Sequence, residues 1–472
     1  MDKLKLQQIE RSILQLVSTE QAWHYGIVPF EQEGGRLHCA VAEGQELAVE
    51  ELEVLLGAEI IVEKVPAAVL QPLLSQHYRR QARAEKSKVL DKQQDILDQL
   101  IQEAHQLGSS DIHIETYEHK CRVRIRIDGE LVERFHLDKA TYPSLVNKIK
   151  IRANLDIAEK RLPQDGRIFF QQNNQKFDLR VSILPTLFGE KVVMRLLSSD
   201  IGNIELAQLG FEAAQLENYL EGIKRPNGIV LISGPTGSGK TTTLYATLHL
   251  LNATSRNITT IEDPIEYTLE GINQVQLKEA IGLDFSAAMR TFLRQDPNII
   301  MVGEIRDKAT AEMAIRASLV GRLVLSTIHT NSAWGIIPRL VDMGIPAYLL
   351  ADTLNTAVAQ RLVRLLCPHC KEEQPLESKA FPRNYKPPEE LQQQYLAKGC
   401  DHCFYTGYKG RKAVYEIIPL DEELAHLVKQ EEFDVKALLK EKGISSLADN
   451  AFTLFKQGLT SMEEIYPILA SR

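Results

Sequence analysis

Hydrophobic spacing changes character twice along this chain, and each regime predicts its own architecture. At the start, Ile9, Ile13 and Leu16/Val17 recur at helical intervals, residues 36–41 alternate like a strand, and residues 46–56 read as another helix. These predict a small α/β unit over residues 1–78. Residues 79–92 hold six basic and two acidic side chains with little apolar content, which predicts a solvated linker over 79–94. Strict alternation then sets in. Val123, Ile125 and Ile127 interleave with Arg122, Arg124 and Arg126, and Asp128-Gly129 supplies a hairpin turn. Phe177, Leu179, Val181 and Ile183 interleave with Asp178, Arg180 and Ser182. A domain over 95–208 is expected, with a half-exposed sheet whose open face carries arginines. Whether that face is merely solvated or functional stays open.

From residue 209 short apolar strands alternate with helices, which predicts a parallel sheet. The strands are Gly228–Ser233, residues 258–261, Ile299–Val302 and Leu323–Ile328. Beyond Asp421 the pattern is one of short helices. At 472 residues the chain exceeds a single core and fits about three domains.

Composition narrows the partners. A net charge of −8 gives no general attraction to nucleic acid or anionic lipid. No apolar run approaches the roughly 18 residues of a membrane span, and the first residues form a charged amphipathic pattern unlike a signal peptide. A cytoplasmic protein is expected, with any membrane attachment peripheral. Cys39 and Cys121 stand alone in strand-like segments as buried thiols. Cys367 and Cys370, and Cys400 and Cys403, form two CxxC pairs 29 residues apart. Four thiolates suit tetrahedral Zn²⁺ with no open position, so the site would be structural; four unpaired or redox cysteines are the alternative, with His369 and His402 as alternative ligands.

The sharpest chemistry lies between the first parallel strand and a helix over 242–251. Gly234, Pro235, Thr236, Gly237, Ser238, Gly239, Lys240 and Thr241 fit the phosphate-binding loop G-x-x-x-x-G-K-[ST], with Thr242 following. The glycines let backbone N–H groups converge on phosphate oxygens, Lys240 supplies a charge for the β- and γ-phosphates, and the Thr241 hydroxyl suits Mg²⁺. ATP binding is expected. Hydrolysis needs a carboxylate on the attacking water. Two acidic clusters follow strands: Glu262, Asp263 and Glu266 after 258–261, and Glu304 after Ile299–Val302. Glu304 occupies the strand-end position of a Walker B acid. His329 ends Leu323–Ile328 and reads either as a structural histidine or as a γ-phosphate sensor.

These motifs in this order resemble the secretion ATPases, the motors of type II secretion and type IV pilus assembly. The resemblance rests on the phosphate loop, Ile258-Thr-Thr-Ile-Glu-Asp-Pro-Ile-Glu-Tyr267, Leu293-Arg-Gln-Asp-Pro-Asn298, Gly303-Glu-Ile-Arg-Asp307 and Ser326-Thr-Ile-His-Thr-Asn331. It extends to Ser110-Asp-Ile-His-Ile-Glu115, Leu162-Pro-Gln-Asp-Gly-Arg167 and Leu362-Val-Arg-Leu-Leu-Cys-Pro-His-Cys370. It covers about residue 95 to the C-terminus and implies an α/β architecture with a RecA-like P-loop ATPase core (209–366) and a PAS-like α+β second N-terminal domain (95–208), to which the small α/β N-terminal domain (1–78) is expected to add a partner-docking unit. A tetracysteine zinc insert (367–403) and a C-terminal helical subdomain (404–472) complete it. The resemblance also implies a homohexameric ring working with an inner-membrane platform protein and a membrane-anchored secretion component. Glu266 matches the catalytic glutamate of an "Asp box" and Glu304 the Walker B glutamate. His329 matches a "His box" residue, and Arg167 and Arg180 match arginines that approach the phosphates. The His box usually opens Gly-His-Leu-Val; here it reads Gly321-Arg322-Leu323-Val324, and the role of Arg322 stays open. Family members that assemble filaments carry the tetracysteine insert, whereas retraction motors generally lack it. No cyclic-dinucleotide-binding repeat is recognised in residues 1–78, which weighs towards type II secretion over pilus assembly. A nucleic-acid translocase is the contrasting class, and the acidic charge and lack of aromatic–basic stacking motifs weigh against it. A non-hydrolysing nucleotide-binding scaffold is a third reading.

Overall fold

The computed structural model describes residues 95–172, 175–197, 205–376 and 380–471, together with parts of residues 9–74. The chain divides into two compact units, Met1–Ser87 and Lys88–Arg472. In the first, β1 (Ile27–Glu33) pairs antiparallel with β2 (Arg36–Ala42), and β3 (Glu59–Val65) adds parallel to β2. Val28, Leu37, Cys39 and Val41 are buried there, and burial pushes the Cys39 thiol up to about 12. Cys39 and Cys121 are both free and buried, as their strand-like settings suggest. Of the helix expected over 46–56, only residues 52–53 are described, and they are helical; the linker 79–94 lies outside the described residues.

The second unit opens with α1 (Ile96–Gln106), whose first turn is capped by Asp95 accepting from Leu97 N. Strands β4 (Asp111–Thr116), β5 (Cys121–Ile127) and β6 (Glu130–Leu137) follow. Helix α2 (Tyr142–Arg152) then leads to β7 (Gln164–Gln172), β8 (Gln175–Thr186) and β9 (Gly189–Leu197). They form an antiparallel sheet ordered β6-β5-β4-β9-β8-β7. At the β5–β6 turn Asp128 and Gly129 both take positive φ, 49° and 89°, the backbone that Asp-Gly accepts most readily. The alternation resolves as read: Val123, Ile125, Leu179 and Val181 enter the core, while the arginines share the other face.

That face is largely neutralised from within. Arg167, Arg180, Arg195, Asp111 and Arg126 are successive cross-strand partners on β7, β8, β9, β4 and β5. Asp111 accepts from Arg195 Nε at 3.0 Å and from Arg126 Nε at 3.1 Å. Buried Glu115 accepts from Arg124 at 2.8 Å through both oxygens and from Arg122 at 3.0 Å. Lys191 adds a contact at 3.3 Å. Paired arginines stay where lone ones would be costly to shield from water.

The larger sheet is ordered β12-β11-β13-β14-β10-β15-β18. Here β10 is Gly228–Ser233, β11 Ile258–Glu262, β12 Asn273–Gln276, β13 Ile299–Val302 and β14 Leu323–Ile328. A long strand β15 (Leu354–Leu366) and β18 (Tyr408–Pro419) finish the order. All neighbours are parallel except β15 and β18. Every residue of β10 is buried: Ile229 and Leu231 pack on one side, Val230 and Ile232 on the other. Both faces are covered, so its apolar run is continuous rather than alternating. The sequence pattern predicts that the core ends at 366 and that 404–472 form a helical subdomain. The structure instead puts Tyr408–Pro419 at the sheet edge beside β15, with helices only beyond it. Residues 367–407 are thus an excursion between two strands of one sheet, holding the hairpin of β16 (Lys371–Pro375) and β17 (Gln393–Ala397). The reason is long-range: β18 closes a sheet whose other strands lie far back in the chain.

Glu115 yields a test. Burial acts to raise its carboxyl, but the Arg124 and Arg122 guanidinium groups outweigh that and hold it at about 2. A lowered carboxyl contributes stability above its ordinary 4.5, lost as pH falls towards 2. Glu115→Gln is expected to melt below wild type at pH 7, with the gap closing as pH falls from about 5 to about 2 in thermal melts.

Candidate nucleotide site

The ends of β10, β11, β13 and β14 point to one edge of the sheet, where an open α/β sheet places its ligands. From β10 the chain enters the phosphate loop and then α4 (Lys240–Leu251, with α3 being Ala213–Lys224). Gly234, Gly237 and Gly239 adopt φ of 151°, 80° and 87°. A Cβ on Gly234 would lie 2.5 Å from the Gln360 carbonyl and 2.6 Å from Ser238 Oγ, so this turn admits only glycine. Lys240 Nζ donates to the Gly234 and Pro235 carbonyls at 2.8 and 2.9 Å, which folds its charge over the loop. Burial lowers its pKa, partly offset by the Glu304 carboxylate. Thr241 is exposed at the loop mouth, Thr242 is half-buried, and Ser238 Oγ is buried with no hydrogen-bond partner among the described residues.

Glu304 is fixed by its neighbours' backbone. Gly303 N donates to Ile261 O at 2.8 Å, Thr327 Oγ1 to Gly303 O at 2.8 Å, and Ile305 N to Thr327 O at 2.8 Å. The acid is thereby held between β11 and β14. Its carboxylate meets His329 Nε2 at 3.3 Å and pairs with Arg306, which also reaches Asp263 at 3.6 Å. The sequence assigns Arg306 no role, although a cation two residues past a strand-end acid is the available signal. Asp307 caps the next helix, accepting from Thr310 N at 2.8 Å.

The first acidic cluster divides. Glu262 is buried and saturated: it accepts from Tyr245 Oη, from Thr260 Oγ1 at 2.5 Å and from Gln274 Nε2 at 3.2 Å. The same Tyr245 oxygen accepts from Glu266 N at 3.3 Å. Glu262 is therefore a framework carboxylate tying α4 to the loop that carries Glu266. Glu266 itself pairs with Arg180 Nη1 at 3.0 Å, and Arg180 also donates to the Ile265 carbonyl. Strand β8 of the antiparallel sheet so reaches the edge of the parallel one. Arg167, its cross-strand neighbour, is exposed. Arg322 lies at the opposite end of β14 from His329 and pairs with Asp296 at 2.9 Å, away from the phosphate loop.

The cysteines form a separate cluster. Their four Sγ atoms lie within 4.8 Å of one another and could hold a metal ion. Cys403 Sγ accepts from Cys400 N and Gly407 N, each at 3.2 Å. His369 and His402 stay out of it and stack on each other at 4.2 Å. Phe404, next to Cys403, packs against the core of the antiparallel domain and beneath Arg134 at 4.8 Å. Close by, Gly410 N donates to Asp128 at 2.7 Å, and Arg364 joins Glu130 and Glu464, each at 2.5 Å.

Residues 86–467 match the type II/IV secretion system protein family, and residues 3–84 match the MshEN domain. The chain is 40% identical to the type IV pilus assembly ATPase PilB of Myxococcus xanthus, over 97% of this chain and 86% of that protein. It is 44% identical to the type II secretion system ATPase E of Vibrio cholerae, over 78% of this chain and 74% of that one. The structure of the Legionella pneumophila ATPase DotB shares the fold, with a TM-score of 0.64 at 22% identity over 82% of this chain and 99% of that chain. Since the pilus relative aligns across the N-terminal unit as well, that unit does not separate the two export readings. The chain belongs to the type II/IV secretion system protein family, a family of secretion ATPases.

The Tyr245 bridge has a measurable consequence. Tyr245→Phe removes the donor to a buried carboxylate and the acceptor for Glu266 N, at an expected cost of about 1–3 kcal/mol in denaturant unfolding.

Proposed function

From that membership as premise, we propose that this protein is a motor that hydrolyses ATP to ADP and phosphate to drive assembly of pseudopilus subunits in type II secretion. The observation that carries the proposal is the Arg180–Glu266 pair. It joins the arginine-bearing domain to the acid best placed to orient water, beside a complete phosphate loop. Backbone N–H groups of 237–241 and Lys240 would hold the phosphates, and Thr241 the Mg²⁺, which neutralises phosphate charge when bound. Glu304, with His329 and Arg306 on its two oxygens, would order the terminal phosphate's surroundings. Glu266 would take the proton of the attacking water. Because Arg180 occupies Glu266 here, it must leave that carboxylate before it can serve a phosphate. Domain movement and turnover are then linked, with Arg167 beside it on the same sheet face.

The tetracysteine site fits Zn²⁺. A tetrahedron with Zn–S bonds of about 2.3 Å has edges near 3.8 Å. Three of the Sγ pairs lie at 3.7, 3.8 and 3.9 Å. The ion would clamp the excursion and hold Phe404 in place. We further propose a cytoplasmic homohexamer at the inner-membrane face, acting on a platform protein and a membrane-anchored component. Among the described residues no helix is long and apolar enough to cross a membrane. Pilus extension is the second reading, favoured by the M. xanthus relative. Loss of exported enzymes against loss of surface pili in a deletion strain separates the two.

Phosphate release by the purified assembly tests the chemistry. Lys240→Ala should abolish nucleotide binding, whereas Glu266→Gln and Glu304→Gln should keep binding and cut kcat at least about 100-fold. Unchanged turnover in both glutamine variants would leave a non-hydrolysing scaffold. Metal analysis should find one zinc bound by the four cysteines. Cys370→Ser should lower the melting temperature, by about 1–2 °C for each kcal/mol lost in a cooperative unit of this size. A Cys370→Ser protein that keeps both zinc and melting temperature would refute the clamp.

A further inference from the structure

Four parallel strands deliver a residue to the nucleotide edge of the sheet: Glu262 from β11, Glu304 beyond β13, His329 beyond β14 and the phosphate loop from β10. A further parallel strand, β15, runs beside β10 on the side away from β14, with Ser233 opposite Ala359. The next residues on β15 are Gln360 and Arg361, level with the start of the phosphate loop. Parallel topology therefore assigns this strand's contribution to the same crevice.

The side chains agree. Gln360 Oε1 accepts from Thr243 Oγ1 at 2.9 Å, and its backbone carbonyl backs Gly234. Arg361 Nη1 lies 3.2 Å from where a Cβ of Gly234 would be, against the start of the phosphate loop. Among the described residues the guanidinium donates only to carbonyls: Nη1 to Gln360 O at 3.0 Å and Nη2 to Asn331 O at 2.9 Å. Asn331 lies two residues beyond His329, so Arg361 spans from the phosphate loop to the His329 segment. Among the described residues no carboxylate stands within ion-pair distance of it. Glu416, the acid that influences it from further off, is committed to Ala333 N at 2.9 Å and Leu447 N at 3.1 Å. Burial depresses the guanidinium, and it in turn depresses Lys240. Two half-buried cations thus face one loop, with Glu304 as the acid acting on Lys240. Such an arrangement is costly alone and is relieved by an anion lodged between them.

We propose that Arg361 is a nucleotide-binding residue, a second cation on the phosphate tail that also ties the loop to the His329 segment. This rests on the reading of 234–241 as an ATP site. A guanidinium offers several fixed donors, so Arg361 can keep its carbonyl contacts and still present an N–H to a phosphate oxygen.

Titration of full-length protein with fluorescent ATP and ADP analogues tests it, beside melting curves in the absence of nucleotide. Arg361→Gln should raise the Kd for both by about tenfold or more with little change in melting temperature, and Arg361→Lys should recover most of the affinity. If wild-type protein binds neither nucleotide, the ATP reading itself fails. If wild type binds, Lys240→Ala does not, and Arg361→Gln binds within twofold of wild type, the assignment of Arg361 is overturned. Should Arg361→Gln melt early, Arg361→Lys decides: a folded variant with wild-type affinity supports a cation on the tail, and one as weak as Arg361→Gln refutes it.

Discussion

Parallel pairing of β11, β13, β14, β10 and β15 is the constraint on which everything else depends. Strands that run the same way end on the same edge, so residues separated by more than a hundred positions meet there. Hydrogen bonds between neighbouring strand ends then set positions within that edge. Gly303 is gripped from β11 and β14 at once, which leaves the Glu304 side chain little freedom to point elsewhere. Glu262 does the same for the neighbouring loop through Tyr245.

Charge is managed differently on the two sheets. On the antiparallel sheet most arginines are matched by Asp111, Glu115 or Glu133, and that face is structural as far as those acids reach. Arg180 is matched outside its own sheet, by Glu266, so one row of cross-strand partners starts as framework and ends at the site. At the parallel edge, Lys240 and Arg361 rest on carbonyls instead of acids. Carbonyls hold a cation in position without cancelling its charge, the condition an anion site requires.

The cysteine excursion connects these regions mechanically. It leaves the central sheet after β15 and returns as β18, and between them it places Phe404 against the other domain's core. Asp128 and Glu130, at the β5–β6 turn, engage Gly410 and Arg364 on the two strands that flank the excursion. A metal clamp at this position would hold the surface on which the arginine-bearing domain rests.

Local pattern carried a large part of this protein. The phosphate loop, the Asp128-Gly129 turn, four of the parallel strands and the CxxC pairs are short-range features, each determined by glycine backbone freedom, apolar runs or ligand spacing within a few residues. The acids at strand ends were legible for the same reason. What the sequence left undecided is long-range. Local pattern did not divide Glu262 from Glu266, which only the family resemblance did, because the difference lies in Tyr245 and Gln274, whose side chains bond the carboxylate of the first alone. It left Arg322 open until the sheet put it at the far end of β14, and it missed β18 as a sheet strand because its partner, β15, lies beyond the whole excursion. Arg361 had no local mark at all, since its place beside Gly234 exists only once β15 lies alongside β10. Spacing along the chain names the chemistry available; strand order decides which of those groups meet.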